Sequence, residues 1–536
     1  MKRRLISYAI TLSAAAVISQ TADRPGRRGG DGDAIRRALD VNRDGVISKS
    51  EIANAMKSLL ALDADRDGQL SAGELGRRDQ PKDDRQKRGG PKGARNDQPG
   101  YRMPTPAFRT DVPPHDYNVI IGRPTDTEVT LSVLAHKDLE IEIRHGVRRE
   151  DLNRTIGLAT LRAGAVRRVL LNNLSPATRH HFRLATREPG RGPFHPGPPM
   201  SFHTARPPGS TFVFTVQADS HLDFGTVPEL YANTLRNVVG DGSDFHIALG
   251  DTFMVDKRTR YQDAAPQYLA QRYYFGLLAE TTALFFVLGN HDGEFGYRPE
   301  MAEWSSAMRK RFIPNPSPNG FYSGNPEPFE NYYAWRWGDA HFICLDPFRH
   351  TVNRKGGQWN KTLGERQYRW LQHTLETSTA KYRFIFIHYL VGGLNNETRG
   401  AKNIAHLYEW GGRNTDGVNE WSRERRGWEM PIHDLCVKHG VNIVYHGHDH
   451  LYVKEELDGV IYQEVPQPGH QRLNNTKTAA EYGYDGVTFG SSGHLRVTVG
   501  PNGVTSEYVW SFLPGREPRG QQNGQVAHAY TIRPQP

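Results

Sequence analysis

From about residue 210 onward, short apolar runs rich in β-branched and aromatic residues alternate with stretches of helical period. The runs are Thr211 to Val216, Phe245 to Leu249, Leu284 to Leu288, Phe384 to Ile387 and Val441 to Tyr445. Between them, Glu365 to Thr377 puts Tyr368, Leu371 and Leu375 on one helical face. This alternation predicts a layered α/β core. Turns are predicted at Trp337-Gly338-Asp339-Ala340 and at Pro501-Asn502-Gly503, the latter an Asn-Gly hairpin signal. The preceding region, 107–207, has the strand period of two instead. Val129 to Leu134, Ile141 to Arg144 and Val166 to Leu171 alternate, which predicts an all-β sandwich or a β-extension of the next domain. Residues 77–106 have neither period and read as a disordered basic linker.

The polar pattern of residues 31–76 repeats once. Asp40, Asn42, Asp44, Val46, Ser48 and Glu51 stand at positions 1, 3, 5, 7, 9 and 12 of a loop. Asp63, Asp65, Asp67, Gln69, Ser71 and Glu74 stand at the same positions of a second. Gly45 and Gly68 supply the sharp turn at position 6, and Ile47 and Leu70 are apolar at position 8. Side-chain oxygens at this spacing, with position 7 lending its carbonyl, suit Ca²⁺, which takes six to eight hard ligands. The segment resembles a pair of EF-hands. Ile52 to Leu62 would form one shared helix, with Ile52, Met56, Leu59 and Leu60 on its apolar face.

Composition changes the picture in three places. The net charge of +9 is carried by Lys2, Arg3 and Arg4 and by the excess of Lys and Arg between Arg77 and Arg109. The remainder is near neutral, so no nucleic-acid-binding globule is expected. Two cysteines, Cys344 and Cys436, exclude a disulfide scaffold and a Cys-rich zinc fold; they could pair or remain buried thiols. Residues 1–22 read as a signal peptide, with a basic start and an apolar stretch from Leu5 to Ile18. A secreted or periplasmic protein is therefore expected. No internal apolar run reaches the ~18 residues of a membrane span.

The chemistry sits where the apolar runs end. After them come, in order, Asp219-Ser220-His221, Gly250-Asp251, Gly289-Asn290-His291-Asp292, His388, and His446-Gly447-His448-Asp449-His450. Sites in α/β sheets form outside the carboxyl ends of strands. Asp219, His221, Asp251, Asn290, His388, His448 and His450 are too many ligands for one tetrahedral ion that keeps an open position. They suit two transition-metal ions sharing a carboxylate. His446, on the strand itself, reads as a supporting histidine. Residues between Gly393 and Pro431, among them Arg399, His406, Tyr408 and Trp410, could line a substrate pocket.

The five motifs resemble the calcineurin-like metallophosphoesterases from about Thr211 to Gly500. The resemblance implies an α/β four-layer sandwich over residues 210–515, with 516–536 as a C-terminal tail. It implies two ions drawn from Fe, Mn or Zn. Asp219, His221 and His450 would hold the first, Asn290, His388 and His448 the second, and Asp251 would bridge. His291 would be catalytic and Asp292 would orient it. Leu174 to His180 resembles the fibronectin type III corner, with His180 where a Tyr is usual. A sandwich ahead of this domain is similar to the purple acid phosphatases, but Met254 stands where their metal-binding Tyr would be. The implied activity is phosphomonoester hydrolysis by metal-bound hydroxide, with a small phosphorylated substrate. Phosphodiester hydrolysis on nucleotides or lipid headgroups is the alternative within the class. A calcium-dependent surface-binding protein with a vestigial catalytic domain is the alternative outside it.

Overall fold

The computed structural model describes residues 38–41, 46–48, 51, 54–60, 108–326, 328–351, 357–392, 399–470, 476–490 and 492–534. The expected leader (1–22) and linker (77–106), and the loop residues Asn42, Asp44, Asp63, Asp65, Asp67, Gln69, Ser71 and Glu74, lie outside the described residues. The chain divides into two compact units, Met1–Gly100 and Tyr101–Pro536.

In the first unit a helix spans Ala55–Leu60. Asp40 and Glu51 are both buried. The Glu51 carboxylate accepts the Val41 N–H at 3.0 Å, and the Ser48 N–H and hydroxyl at 2.8 Å each. The acid at position 12 thus folds back onto the start of its own loop, as a closing residue must.

The second unit opens with the sandwich. Its strands are β1 (Tyr117–Gly122), β2 (Val129–Ala135), β3 (Leu139–Gly146), β4 (Arg154–Leu161), β5 (Val166–Leu171), β6 (Arg179–Arg187), β7 (His195–Pro196) and β8 (Met200–His203). One sheet is ordered β1-β2-β5; the other is β4-β3-β6-β7, with β8 also on β6. The period of two shows as burial: Ile141 and Ile143 face the core while Glu142 and Arg144 face outward. His180 Nε2 lies 3.0 Å from the Ser175 carbonyl, so this imidazole ties the corner back to the chain.

Two further sheets form the α/β part. The first contains β9 (Phe212–Gln217), β10 (Phe245–Leu249) and β11 (Ala283–Val287). The second begins with β12 (Ser323–Gly324), β13 (Tyr333–Trp337), β14 (Ala340–Cys344), β15 (Tyr382–Phe386) and β16 (Ile443–His446). It continues through β17 (Tyr452–Leu457), β18 (Val460–Glu464) and β19 (Val487–Phe489). The chain then returns to the first sheet as β20 (Gly493–Gly500), β21 (Gly503–Trp510) and β22 (Val526–Ile532). The orders are β11-β10-β9-β20-β21-β22 and β12-β13-β14-β15-β16-β18-β17-β19. Phe214, Phe245, Phe342 and Phe386 pack between the sheets. Helices Pro228–Gly240 and Ala265–Leu277 cover the outer face of the first sheet. Helices Glu365–Glu376 and Ile432–Lys438 cover that of the second. The result is four layers, α/β/β/α. Tyr332, Tyr333, Trp335 and Trp337 are buried in this core, and Cys344 and Cys436 are separate buried thiols.

The sequence-based boundary of a tail at 516–536 is corrected here. β22 pairs antiparallel with β21 from Val504↔Ile532 onward, so its backbone completes the edge of the first sheet. Its half-exposed, mixed pattern gives no apolar run to read. The sandwich is bound to the α/β part by buried polar contacts. Arg272, on Ala265–Leu277, donates to Ser132 Oγ at 3.1 Å and Ser132 O at 2.5 Å, and also to the Phe312 carbonyl. A fully buried guanidinium needs such acceptors.

Candidate metal centre

β9, β10, β11, β15 and β16 are parallel neighbours within their sheets, and each ends toward the same place. The loops that leave them are tight and strained. Asp219, His221, Leu222, Asp251, Met254, His448 and His450 all have positive φ, which non-glycine residues adopt rarely. Strain of this kind persists where the surroundings fix it, and it clusters at functional sites. Gly250 (φ +81°) makes one turn. A Cβ on Gly289 would sit 1.9 Å from the Asp251 nitrogen, so only glycine lets the two loops meet.

Two groups of ligand-type atoms result: Asp219, His221 and His450, and Asp251, His388 and His448. Within each, one atom per residue lies within 4.8 Å of the others. Asp251 Oδ2 joins the groups, 3.8 Å from His221 Nε2 and 3.2 Å from His388 Nε2. The other oxygens of the two acids are already used. Asp219 Oδ2 accepts the His448 N–H at 2.9 Å, and Asp251 Oδ1 accepts the His291 N–H at 2.7 Å. His388 Nδ1 donates to the Leu249 carbonyl at 2.8 Å, which leaves Nε2 as the free lone pair. Asp219 Oδ1, His221 Nε2, Asn290 Oδ1 and His388 Nε2 are buried and have no hydrogen-bond partner among the described residues. Buried polar atoms are normally satisfied. Asp219 Oδ1 lies 3.6 Å from His221 Nε2 and 3.9 Å from His388 Nε2, so these three orphans of ligand type share one space that fits a cation.

The electrostatics agree. Burial alone would raise the Asp219 and Asp251 carboxyls. The neighbouring imidazoles, chiefly His450 for Asp219 and His388 for Asp251, instead hold both below the usual carboxylate range. Burial would lower His388, but Asp251 and Asp219 raise it to about 9. The two carboxylates thus demand positive charge, which a proton on His388 meets and a divalent cation would displace.

His291 stands beside Asp251, its Nε2 3.8 Å from Oδ2. The expectation that Asp292 orients it is corrected. Asp292 is buried beneath the loops and accepts the N–H groups of Thr252, Phe253 and Gly289 at 2.8, 2.8 and 2.7 Å. Burial, then the charge of Asp251, push its carboxyl up to about 7. The residue at His291 Nδ1 is Asp256, at 2.9 Å. Sequence reading missed it, although an acid five residues after Asp251 on the same loop was visible.

Three other contacts were also missed. Asp223 Oδ2 lies 3.5 Å from His221 Nδ1. Glu464 accepts the Asp449 N–H at 3.0 Å and lies 2.6 Å from His446 Nδ1, which makes His446 a supporting residue. Asp449, between two of the candidate ligands, also takes Arg399 at 2.6 Å and the Tyr484 hydroxyl at 2.7 Å. Phe108 bridges to Asp223, and the Arg109 N–H donates to Leu222 O at 2.7 Å, so the start of the described sandwich segment straps this rim. Exposed Phe224 stands on the same rim. Of the insertion, Arg399 reaches the site through Asp449, whereas Trp410 packs in the core and donates to Tyr462.

A family model described as calcineurin-like phosphoesterase matches residues 212–452, and an EF-hand model matches 37–57 and 56–77. No curated protein matches the chain. The fold is similar to a structure of PhoD, with a TM-score of 0.55 and 13% identity over 78% of this chain and 90% of that one. It is also similar to purple acid phosphatase PPD1 from yellow lupin (Lupinus luteus) seeds, with a TM-score of 0.51 and 16% identity over 78% of this chain and 74% of that one. At these identities the likeness concerns the fold.

Proposed function

We propose that this chain, whose residues 212–452 match a calcineurin-like phosphoesterase model, is an exported, metal-dependent phosphomonoesterase with a dinuclear centre. The observation that carries the reading is the convergence of the orphaned atoms of Asp219, His221 and His388 with Asp251 Oδ2. Asp219, His221 and His450 would hold one ion, Asn290, His388 and His448 the other, and Asp251 would lie between them. The mixed imidazole and carboxylate set suits Fe, Mn or Zn. When bound, such a pair makes a water nucleophilic near neutral pH and offsets charge gathering on the phosphoryl group.

The chain's own groups do the rest. His388 is fixed in one tautomer by Leu249 O. His291 donates its Nδ1–H to Asp256, and in the imidazolium form so paired its Nε2–H would protonate the departing alcohol oxygen. Two divalent ions against the carboxylates of Asp219 and Asp251 leave a net charge of about +2, which matches a monoester dianion better than a diester monoanion. Export is supported by Lys2-Arg3-Arg4 and the apolar stretch after it; among the described residues no helix is long and apolar enough to cross a membrane. The EF-hand-like loops would hold Ca²⁺ in a structural role.

The test is a pair of initial rates on p-nitrophenyl phosphate and bis-p-nitrophenyl phosphate after Mn²⁺ repletion. A large excess on the monoester is expected. An excess on the diester would overturn the monoester assignment.

A further inference from the structure

A cavity of about 300 Å³ opens at one end of the sandwich. It lies where β3 ends, where β4 begins, and where the chain crosses from β5 to β6. None of the candidate metal ligands lines it. Its size is at the lower end of the range for small-molecule sites.

The lining carries two arginines, Arg148 and Arg154, and two imidazoles, His145 and His180, against a single acid, Asp151. That acid is already committed, since Arg148 Nη2 lies 3.0 Å from it. His180 is committed as well, to the Ser175 carbonyl at 3.0 Å. Arg154 donates one N–H, from Nη1 to the Asn173 carbonyl at 2.9 Å. The rest of its guanidinium has no partner among the described residues. His145 is directly opposite it in the β3–β4 register. The His145 residue is only 4% exposed and lines the cavity, and its imidazole makes no hydrogen bond to protein among the described residues. Its ring nitrogens are not among the sealed polar atoms, so the cavity is where they can meet a partner. Burial, then the charge of Arg154, hold its pKa below the ordinary value, so an anion placed between the two would relieve both. Exposed Val147 at the rim and buried Leu174 beneath give the remaining surface some apolar character.

We infer that this cavity binds a small oxyanion ester on a hydroxylated body no larger than one sugar ring, with Arg154 and His145 meeting the oxyanion. A planar guanidinium fork with free N–H groups suits two oxygens of a sulfate or phosphate group. Asn153, also in the lining, offers a carboxamide to hydroxyl groups. The site stands independently of the reaction at the metal centre.

The experiment is isothermal titration calorimetry of the metal-loaded full chain with glucose 6-sulfate, inorganic sulfate and glucose. A sulfate ester supplies the oxyanion without the phosphoryl group of a substrate. Glucose 6-sulfate is expected to bind most tightly. Arg154→Ala should weaken it at least tenfold, and exposed Arg144→Ala should leave it unchanged. The kcat on p-nitrophenyl phosphate should be the same in all three proteins. Arg154 is exposed, so its removal should not disturb folding; His145→Gln, with its melting temperature measured, gives a second reading of the same loss. Binding that survives both substitutions, or that orthovanadate at the metal centre abolishes, would overturn the site. Inorganic sulfate binding as tightly as the ester would overturn the assignment of the sugar-sized body.

Discussion

The Nδ1 atom of His291 lies 2.9 Å from Oδ1 of Asp256, while Asp292, the next residue in the chain, turns under the loop and accepts three backbone N–H groups. Two neighbouring acids therefore do different jobs. Asp256 holds the Nδ1–H of His291, the proposed proton donor. Asp292 holds together the loops that carry Asp251 and Asn290. Asp256→Asn should lower kcat by about 10–100-fold, with KM changed far less and metal content intact. His291→Ala should cost about 100–10,000-fold. Steady-state rates with metal analysis check both.

Asp292→Ala should fail differently. It leaves three buried N–H groups without an acceptor, at about 1–3 kcal/mol each. The expected outcome is a protein several kcal/mol less stable that also loses its transition metal. Denaturant unfolding and metal content measured together distinguish this from a purely catalytic defect.

Glu464 supports the ligand loop from behind, through the Asp449 N–H and His446. Burial, then the charge of Asp449, raise its carboxyl well above the ordinary range. Glu464→Ala should weaken metal affinity by about 10–100-fold, since His448 and His450 flank the residue it holds. Titration of the metal-free protein with Mn²⁺, followed by activity, measures the shift.

Acid stability has a named contributor far from the metal site. His341 accepts or donates one hydrogen bond, to Ser378 Oγ at 2.9 Å, and burial, then Arg336 and Arg383, push its pKa from 6.5 to about 4. Its folded pKa is depressed, so the neutral form is favoured in the fold. That contribution is fully present above pH 6.5 and is lost as pH falls through 4. Its size is about 3 kcal/mol. His341→Gln keeps a partner for Ser378 and should make the fall in unfolding free energy between pH 7 and pH 4 shallower. An unchanged slope would remove His341 from the account.

The layered core was legible, and Asp219, Asp251, Asn290, His388 and His448 stood out as candidate ligands, because each follows an apolar run long enough to read as a strand. β22 was not legible, because an edge strand half exposed on both faces, such as Val526 to Ile532, carries no periodic signal. The partner of His291 was misassigned for a related reason. Adjacency in sequence favoured Asp292, but the left-handed turn at Met254 brings Asp256 back to the imidazole instead. Asp223 and Glu464 reach the site only through tertiary contacts, to which spacing along the chain is blind. The strap made by Phe108 and Arg109 joins segments more than 100 residues apart and left no local mark.

The most direct test of the central claim is metal stoichiometry measured with turnover. The metal-free protein is titrated with Mn²⁺, and bound metal and the rate on p-nitrophenyl phosphate are read on the same samples, for the wild type and for His388→Ala. Chelation should abolish activity. In the wild type, activity should return in full only as a second transition-metal ion per chain is bound, beyond any ions held by the Ca²⁺ loops, which saturation with Ca²⁺ masks. His388→Ala should stop near one ion and remain inactive. Full turnover with a single ion, or an active His388→Ala protein, would contradict the shared centre around Asp251.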